Sequence, residues 1–541
     1  MKRRDLLTWL AAPAVLAACG KPDAPAASAV ADATTPKAGG ELVFAFDGAA
    51  VSQFVLDPHA SAFAPHNRVM RSIYDSLVVA LPDHQFGPWL AKAWEVSPDG
   101  LTYTFKLRDD VRFHDGTRFD AAAVKANLDR IKDPKNALFT ATDLGSHQAT
   151  NVVDDFTVQV VFATPFPAFI ASLSKTNFGI VSPAAIAKFG PLVNANPVGT
   201  GPFRYLSQQA GTEIVLERNP DHQWSPAGAR HTGPAYLDRL VFKNVPEEAT
   251  RVAVLQSGQA GAADLIPPQN LVGIRQSTEF RLSEGELLNH NYSLYLNVRR
   301  DPWSDPRVRE AFKLSLDLDT AVKTIYLGTA QRAWSPLSPS LLGYDPALEN
   351  TWRVDRARAA ALLDDAGWTV GEDGVRAKGG KRLTVVFLET QGNREKRLDL
   401  ITMLRRQLRD TGFELRIESQ PGGSYLQKST AGDFDLLAGS QFAPDPDVLR
   451  RIHAPGLRAR SSVSKVDDPE LSTVLESASR ELDPVRRVDA YKRAQRLIVD
   501  RVYAIPVYVL VYTVAAARKV HGIAVDVHGF PVLYDTFISE A

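Results

Sequence analysis

A mixed α/β fold with more than one hydrophobic core is the expectation, and three observations carry it. The chain has 541 residues, whereas single cores stop growing near ~250–300 residues. Short strand candidates, Leu42–Phe46, Thr102–Leu107, Thr157–Phe162, Ile214–Arg218 and Leu240–Phe242, are separated by helical stretches in irregular order. That order argues against a barrel of regular βα units. Further on, strand Leu383–Leu388, helix Arg394–Thr411 and strand Phe413–Ile417 follow one another, the succession of a βαβ unit in a second domain.

The clearest single element runs from Trp94 to Gly116 and reads as a β-hairpin. Tyr103, Phe105 and Leu107 alternate with Thr102, Thr104, Lys106 and Arg108, which sends the apolar groups to one face. Ser97-Pro98-Asp99-Gly100 supplies the reversal, and His114-Asp115-Gly116 punctuates the chain before the helical run Ala121–Ile131. The stretches 151–156 and Ala210-Gly211-Thr212 read as turns. An apolar extended segment, Leu287–Val298, leads to Asp305-Pro306, a helix cap with proline at the first helical position. Asp317 and Asp355 read as caps of two further helices; Gly367 and Gly412 end helices. Pro484–Val502 is the last long helix, and Ile505–Val514 is extended. No internal repeat is evident.

The N-terminus has the layout of an export signal: Lys2-Arg3-Arg4, an apolar run from Leu6 to Leu16, then Ala17-Ala18-Cys19. That run is shorter than the ~20 residues a membrane-spanning helix needs. Cys19 is the only cysteine, so no disulfide forms within the chain. Residues 19–40, rich in Ala, Pro, Ser and Thr, read as a solvated tether. Arg3-Arg4 leaves both the general and the twin-arginine export routes open. Sixty-two basic residues balance sixty-two acidic ones, which gives no electrostatic reason for a nucleic-acid partner.

Motifs for catalysis were sought as the main competing class. The sequence has no His-Glu-x-x-His, no Gly-x-Ser-x-Gly and no Gly-x-x-x-x-Gly-Lys-Ser/Thr. His59, His66, His114, His290 and His453 could in principle converge on a metal, but single histidines dispersed along a chain are more often surface or hydrogen-bonded core residues. The reading is therefore of a protein that is not an enzyme and carries no cofactor or metal.

Five strings occur together in order: the hairpin sequence itself, Asn196-Pro197-Val198-Gly199-Thr200-Gly201-Pro202-Phe203, Glu217-Arg218-Asn219-Pro220, Trp303-Ser304-Asp305-Pro306-Arg307-Val308-Arg309, and Leu362-Leu363-Asp364-Asp365-Ala366-Gly367-Trp368. In this the chain resembles the family-5 solute-binding proteins, the peptide and nickel receptors of ABC importers. The resemblance implies a two-lobed periplasmic-binding-protein-like fold of type II, with a hinge between lobes. It implies a signal peptide at 1–18 and a lipidated tether at 19–40, since Leu16-Ala17-Ala18-Cys19 is similar to a lipobox with Cys19 as the lipidated residue. Residues 41–286 and 510–541 would form lobe I, and 287–509 lobe II. The implied function is capture of a small solute, peptide or peptide-like, for delivery to separate permease and ATPase chains. Such a receptor would be an exported monomer anchored by lipid on the periplasmic or cell-surface side. A ligand-sensing or chaperone-like role is the alternative for the same fold, and a hydrolase the least favoured.

Two stretches transfer as ligand contacts. Leu56-Asp57-Pro58-His59 matches the motif before a loop that, in oligopeptide receptors, reaches the ligand backbone; here that loop offers Ala62, Phe63 and Ala64. Residues 439–447, Gly-Ser-Gln-Phe-Ala-Pro-Asp-Pro-Asp, resemble the family's Trp-x-x-Asp-x-Pro-Asp-Pro-Asp stretch and offer Ser440, Gln441 and Phe442. Peptide-binding members pair the earlier aspartate with the ligand's α-ammonium. Phe442 holds that position here and Gly439 the usual tryptophan's. Asp445 and Asp447 are expected to cap or brace the loop.

Overall fold

Strand direction shapes this chain. In the computed structural model, which describes residues 35–48, 54–61, 63–285, 287–455 and 464–540, Glu41–Phe46 runs parallel to both Arg239–Asn244 and Ala262–Asp264. They lie at the middle of a seven-stranded sheet ordered Phe280–Gly285, Tyr512–Ala517, Ala262–Asp264, Glu41–Phe46, Arg239–Asn244, Glu213–Arg218, Phe203–Gln209. A six-stranded sheet is ordered Gln331–Arg332, Ala504–Val509, Asn289–Leu296, Leu436–Phe442, Thr384–Thr390, Glu414–Gln420. Within it Thr384–Thr390 runs parallel to both of its neighbours. Cys19, the export signal and most of the tether lie outside the described residues.

The hairpin expected at 94–107 belongs to a third, antiparallel sheet: Ala91–Val96, Thr102–Leu107, Thr157–Phe162 and His147–Asp154. Tyr103, Phe105 and Leu107 are buried in its core, while Thr102, Thr104 and Lys106 face outward. Its turn is closed by Asp99, which accepts hydrogen bonds from Ser97 Oγ (2.6 Å) and the Leu101 amide (3.0 Å). Gly100 there has φ 69°, a conformation glycine adopts without a Cβ clash.

The helix caps follow the sequence. Asp305, Asp317 and Asp355 accept from the amides of Arg307, Thr320 and Arg358, satisfying donors that a helix leaves unpaired at its start. Three expectations need correction. Residues 151–154 are not a turn but the outer half of strand His147–Asp154; their side chains, Val152 and Val153 included, are exposed and show no apolar alternation. The helix expected from Arg394 starts as regular α-helix only at Arg397, because Glu395 and Lys396 have φ 54° and 57°. The single extended segment expected at 505–514 is two strands in two different sheets, Ala504–Val509 and Tyr512–Ala517.

That last break is one of two places where the chain passes between the large sheets within a few residues. The other lies between Phe280–Gly285 and Asn289–Leu296. Close to both, a buried charge network ties the seven-stranded sheet together. Asp264 receives Arg68 Nη1 at 2.8 Å, the Tyr512 hydroxyl at 2.9 Å and the Asp47 amide at 3.2 Å. Both Arg68 and Asp264 are sealed from solvent, and the Arg68 guanidinium also lies 4.9 Å from the Tyr512 ring centroid. Removing one partner of such a pair leaves a buried charge uncompensated, at a cost of about 3–5 kcal/mol. Asp264→Asn is therefore expected to lower unfolding free energy by about that amount in urea titrations; a loss below about 1 kcal/mol would mean that Arg68 finds another partner.

Candidate ligand-binding cavity

The parallel strands of the two large sheets end on a common space. Asp47 follows Glu41–Phe46, Pro246, Glu247 and Glu248 follow Arg239–Asn244, Gln391–Asn393 follow Thr384–Thr390, and Leu436–Phe442 ends at the fourth wall. These residues line a cavity of about 810 Å³. Open α/β sheets hold ligands in the crevice outside the carboxyl ends of their strands, and the volume lies in the range of small-molecule sites.

Among the residues expected at the ligand, Phe63, Ala64, Ser440, Gln441 and Phe442 all border this cavity. Ala62 lies outside the described residues. Phe63 stands at the start of helix Ala64–Met70 and is exposed. Its loop is held from behind: Arg130 grips Asp57 through both guanidinium nitrogens (3.0 and 2.5 Å), and Asn177 donates to the Pro58 carbonyl at 3.0 Å. Burial works against the Asp57 charge, but the Arg130 bond and the fields of His59 and Arg130 hold its carboxyl below the usual range. Phe442 packs its ring on Phe530 (centroids 5.1 Å apart), an apolar pair on the cavity wall.

Residues that sequence reasoning missed supply the electrostatics. Arg451 Nη1 donates to Asp143 Oδ1 at 2.5 Å, and its Nη2 donates to Gln441 Oε1 at 2.9 Å. Lys175 Nζ lies 3.2 Å from the other Asp143 oxygen. Two cations thus share one carboxylate beside Gln441 and Phe442. Burial disfavours the Asp143 charge, yet Arg451 and Lys175 bring its pKa down; burial lowers that of Lys175 despite Asp143, with Arg451 adding to the decrease. No spacing in the sequence connects 143, 175 and 451.

Asp445 and Asp447 brace the loop after the strand. Asp445 Oδ1 accepts from the Asp447 amide (2.8 Å) and from Arg487 (2.6 Å), while Asp447 holds Arg450 (2.8 and 2.7 Å) and the Tyr491 hydroxyl (3.0 Å). Neither aspartate borders the cavity. His290 and His453 pack together, their ring centroids 6.3 Å apart, while His114 bonds the Gly201 carbonyl, His66 the Ser61 hydroxyl and His290 the Asn291 carbonyl. No three His, Cys, Asp or Glu side chains converge as metal ligands among the described residues, nor is any described helix long and apolar enough to cross a membrane.

Comparison with known proteins places this geometry. The model for bacterial extracellular solute-binding proteins, family 5 middle, matches residues 85–454. The glutathione-binding protein GsiB of Pectobacterium atrosepticum is 28% identical over 494 residues, 90% of either chain. Two solved structures superpose closely: the periplasmic binding protein DppA of Helicobacter pylori with the peptide STSA (TM-score 0.80, 24% identity, 93% of this chain and 99% of that one) and AgaA of A. tumefaciens R10 with agropinic acid (TM-score 0.79, 25% identity, 93% and 99%). The fold is accordingly the two-lobed α/β architecture of periplasmic binding proteins. The chain belongs to the family-5 extracellular solute-binding proteins, the binding components of ABC importers.

His59 gives the cavity loop a pH dependence whose sign follows from its bonds. Arg130 Nη1 donates to His59 Nδ1 at 2.7 Å, so that nitrogen is an acceptor, and Nε2 donates to the Gly179 carbonyl at 3.1 Å. Only a neutral ring does both. Burial pushes the His59 pKa down to about 4, and Asp57 offsets only part of this. The unfolded chain takes up the proton near pH 6.5 while the folded one does not, so stability falls as pH drops from about 6.5 to about 4, by up to about 1.4 kcal/mol per unit. Urea titrations across this window are expected to show a shallower slope against pH for His59→Gln than for wild type; equal slopes would remove His59 as a source.

Proposed function

We propose that this chain is an exported, monomeric lipoprotein receptor that captures a peptide-like solute bearing a carboxylate and presents it to the permease of an ABC importer. Residues 41–286 with 510–541 act as one lobe and 287–509 as the other, closing about the two chain crossings. The observation that supports this most strongly is the cavity between opposed strand ends of the two large sheets, bridged by the Asp143–Arg451 pair. Closure buries a ligand and creates a shape that a permease distinguishes from the open one. Cys19 carries the lipid, and no reaction is catalysed.

Charge supports the ligand class. A peptide ammonium placed beside Phe442 would meet no carboxylate there. It would face instead the excess positive charge of Lys175 and Arg451 over Asp143. An unpaired buried charge costs several kcal/mol, and a like charge adds to that. A ligand carboxylate is favoured at the same place. Glutathione, named in the relatives' description, is one peptide-like molecule that carries carboxylates.

Three measurements test this reading. Small-angle scattering of the protein with its native ligand, identified by mass spectrometry after gentle purification, should give a smaller radius of gyration than the stripped protein; identical profiles would argue for a rigid receptor. Calorimetry with carboxylate-bearing peptide-like probes should give binding that is lost in Arg451→Gln, and binding unchanged in that variant would remove the carboxylate site. Cys19→Ala should release the protein from carbonate-washed membranes, and retention would place the anchor elsewhere.

A further inference from the structure

Among the described acids that line the cavity, Glu389 has a buried carboxylate oxygen without a hydrogen-bond partner. It closes strand Thr384–Thr390, next to the strand that ends in Phe442, and only 4% of its surface is exposed. Its Oε1 accepts from the Thr390 amide (2.8 Å) and the Thr390 hydroxyl (3.0 Å), whereas its Oε2 has no hydrogen-bond partner. Arg397 feels the Glu389 charge, but the hydrogen bonds of the neighbouring cations go to other acids. Arg397 donates to Glu395 through Nε and Nη2 (3.1 and 2.7 Å), Arg394 donates to the same carboxylate at 3.0 Å, and Lys396 reaches Glu248 at 2.6 Å. Arg397 also lies over the Tyr292 ring, 4.9 Å from its centroid. Tyr425, on the cavity wall, feels Glu389: burial first, and then this carboxylate, raise its hydroxyl pKa.

Asp143, Glu247 and Glu248, on the same cavity, are held within the protein. Asp143 is shared by Lys175 and Arg451, Glu248 holds Lys396, and Glu247 caps helix Glu248–Gln256 through the Thr250 amide (2.8 Å). A carboxylate kept buried with an open oxygen is unfavourable unless a partner arrives. We propose that Glu389 is the anchor for a cationic nitrogen of the ligand, supplying from the adjacent strand the negative charge that Phe442 cannot. This rests on the receptor reading and sharpens its ligand class: a zwitterion whose amine sits at Glu389 and whose carboxylate sits at Lys175 and Arg451. The orientation is thus set by two sites, neither at the position where peptide-binding relatives of the resemblance keep their aspartate.

The test uses the full chain, stripped of bound ligand, with a panel of zwitterionic peptide-like probes (glutathione, γ-glutamyl dipeptides and amino-acid conjugates), each paired with its N-acetylated form. Thermal-shift and calorimetric titrations are expected to find binding among the free amines and a drop of about 30-fold or more on acetylation, and the same drop for Glu389→Gln. Unliganded Glu389→Gln should be at least as stable as wild type, because the amide retains the Thr390 bonds and removes a buried charge; this separates lost recognition from lost folding. Equal binding of free and acetylated probes, or undiminished amine binding by Glu389→Gln, would overturn the anchor and leave the receptor reading standing. A panel in which nothing binds would overturn both.

Discussion

The direction of four strands sets what this molecule can do. Two parallel strands of the seven-stranded sheet, Glu41–Phe46 and Arg239–Asn244, and two of the six-stranded sheet, Thr384–Thr390 and Leu436–Phe442, deliver their carboxyl ends to one space. A parallel strand needs a crossover to return, so the connections that leave these ends are loops and helix starts rather than tight hairpins. Such segments carry exposed backbone donors and polar side chains, the material of a binding wall. The antiparallel sheet 91–162 offers no such set of ends; its contribution to the cavity, Phe139 and Asp143, comes from the short helical segment before strand His147–Asp154.

The two chain crossings make this arrangement possible at small cost. Each is only a few residues long, so the sheets cannot drift apart, and the buried Arg68–Asp264–Tyr512 group sits on the strands nearest them. Tyr512 opens the strand that follows one crossing, and Asp264 ends the parallel strand beside it. Fixing both also fixes Asp47, whose amide Asp264 holds and whose side chain borders the cavity. A core interaction thereby determines where one wall of the site stands.

How much of this could be read beforehand depended on whether the signal was local. Caps such as Asp305 and Asp355 and the alternation at 102–107 are set by neighbours within four residues, and they were legible. Strand 147–154 was not, because an edge strand with exposed outer residues carries no apolar alternation there. The break at Leu510-Val511 was missed since both flanking strands are buried on each face, and a continuous apolar run shows no period. At the site, Phe63 and Phe442 came from motif matching. Asp143, Lys175 and Arg451 are separated by up to 308 positions, and only the fold brings them together. Glu389 was hidden differently: its sequence context is that of an ordinary strand end, and what distinguishes it is an oxygen without a partner.

For the proposed receptor, the charges facing the cavity bear on how closely balanced open and closed forms would be. Asp143 stands beside the antiparallel sheet and Arg451 on helix Val448–His453 beyond the six-stranded one; Glu248 begins a helix after the seven-stranded sheet, and Lys396 precedes helix Arg397–Arg409. Both pairs therefore join parts of the chain that belong to different sheets, and both would be broken by separation of the lobes. Partly buried pairs of this kind gain Coulomb energy and lose hydration in nearly equal measure, so by themselves they specify the closed register more than they stabilise it. A ligand carboxylate at Lys175 and Arg451 changes that balance, since it neutralises the excess positive charge without undoing the Asp143 bridge. In the proposed receptor, the same protein contacts that align the walls thus leave the final increment of closure to the solute.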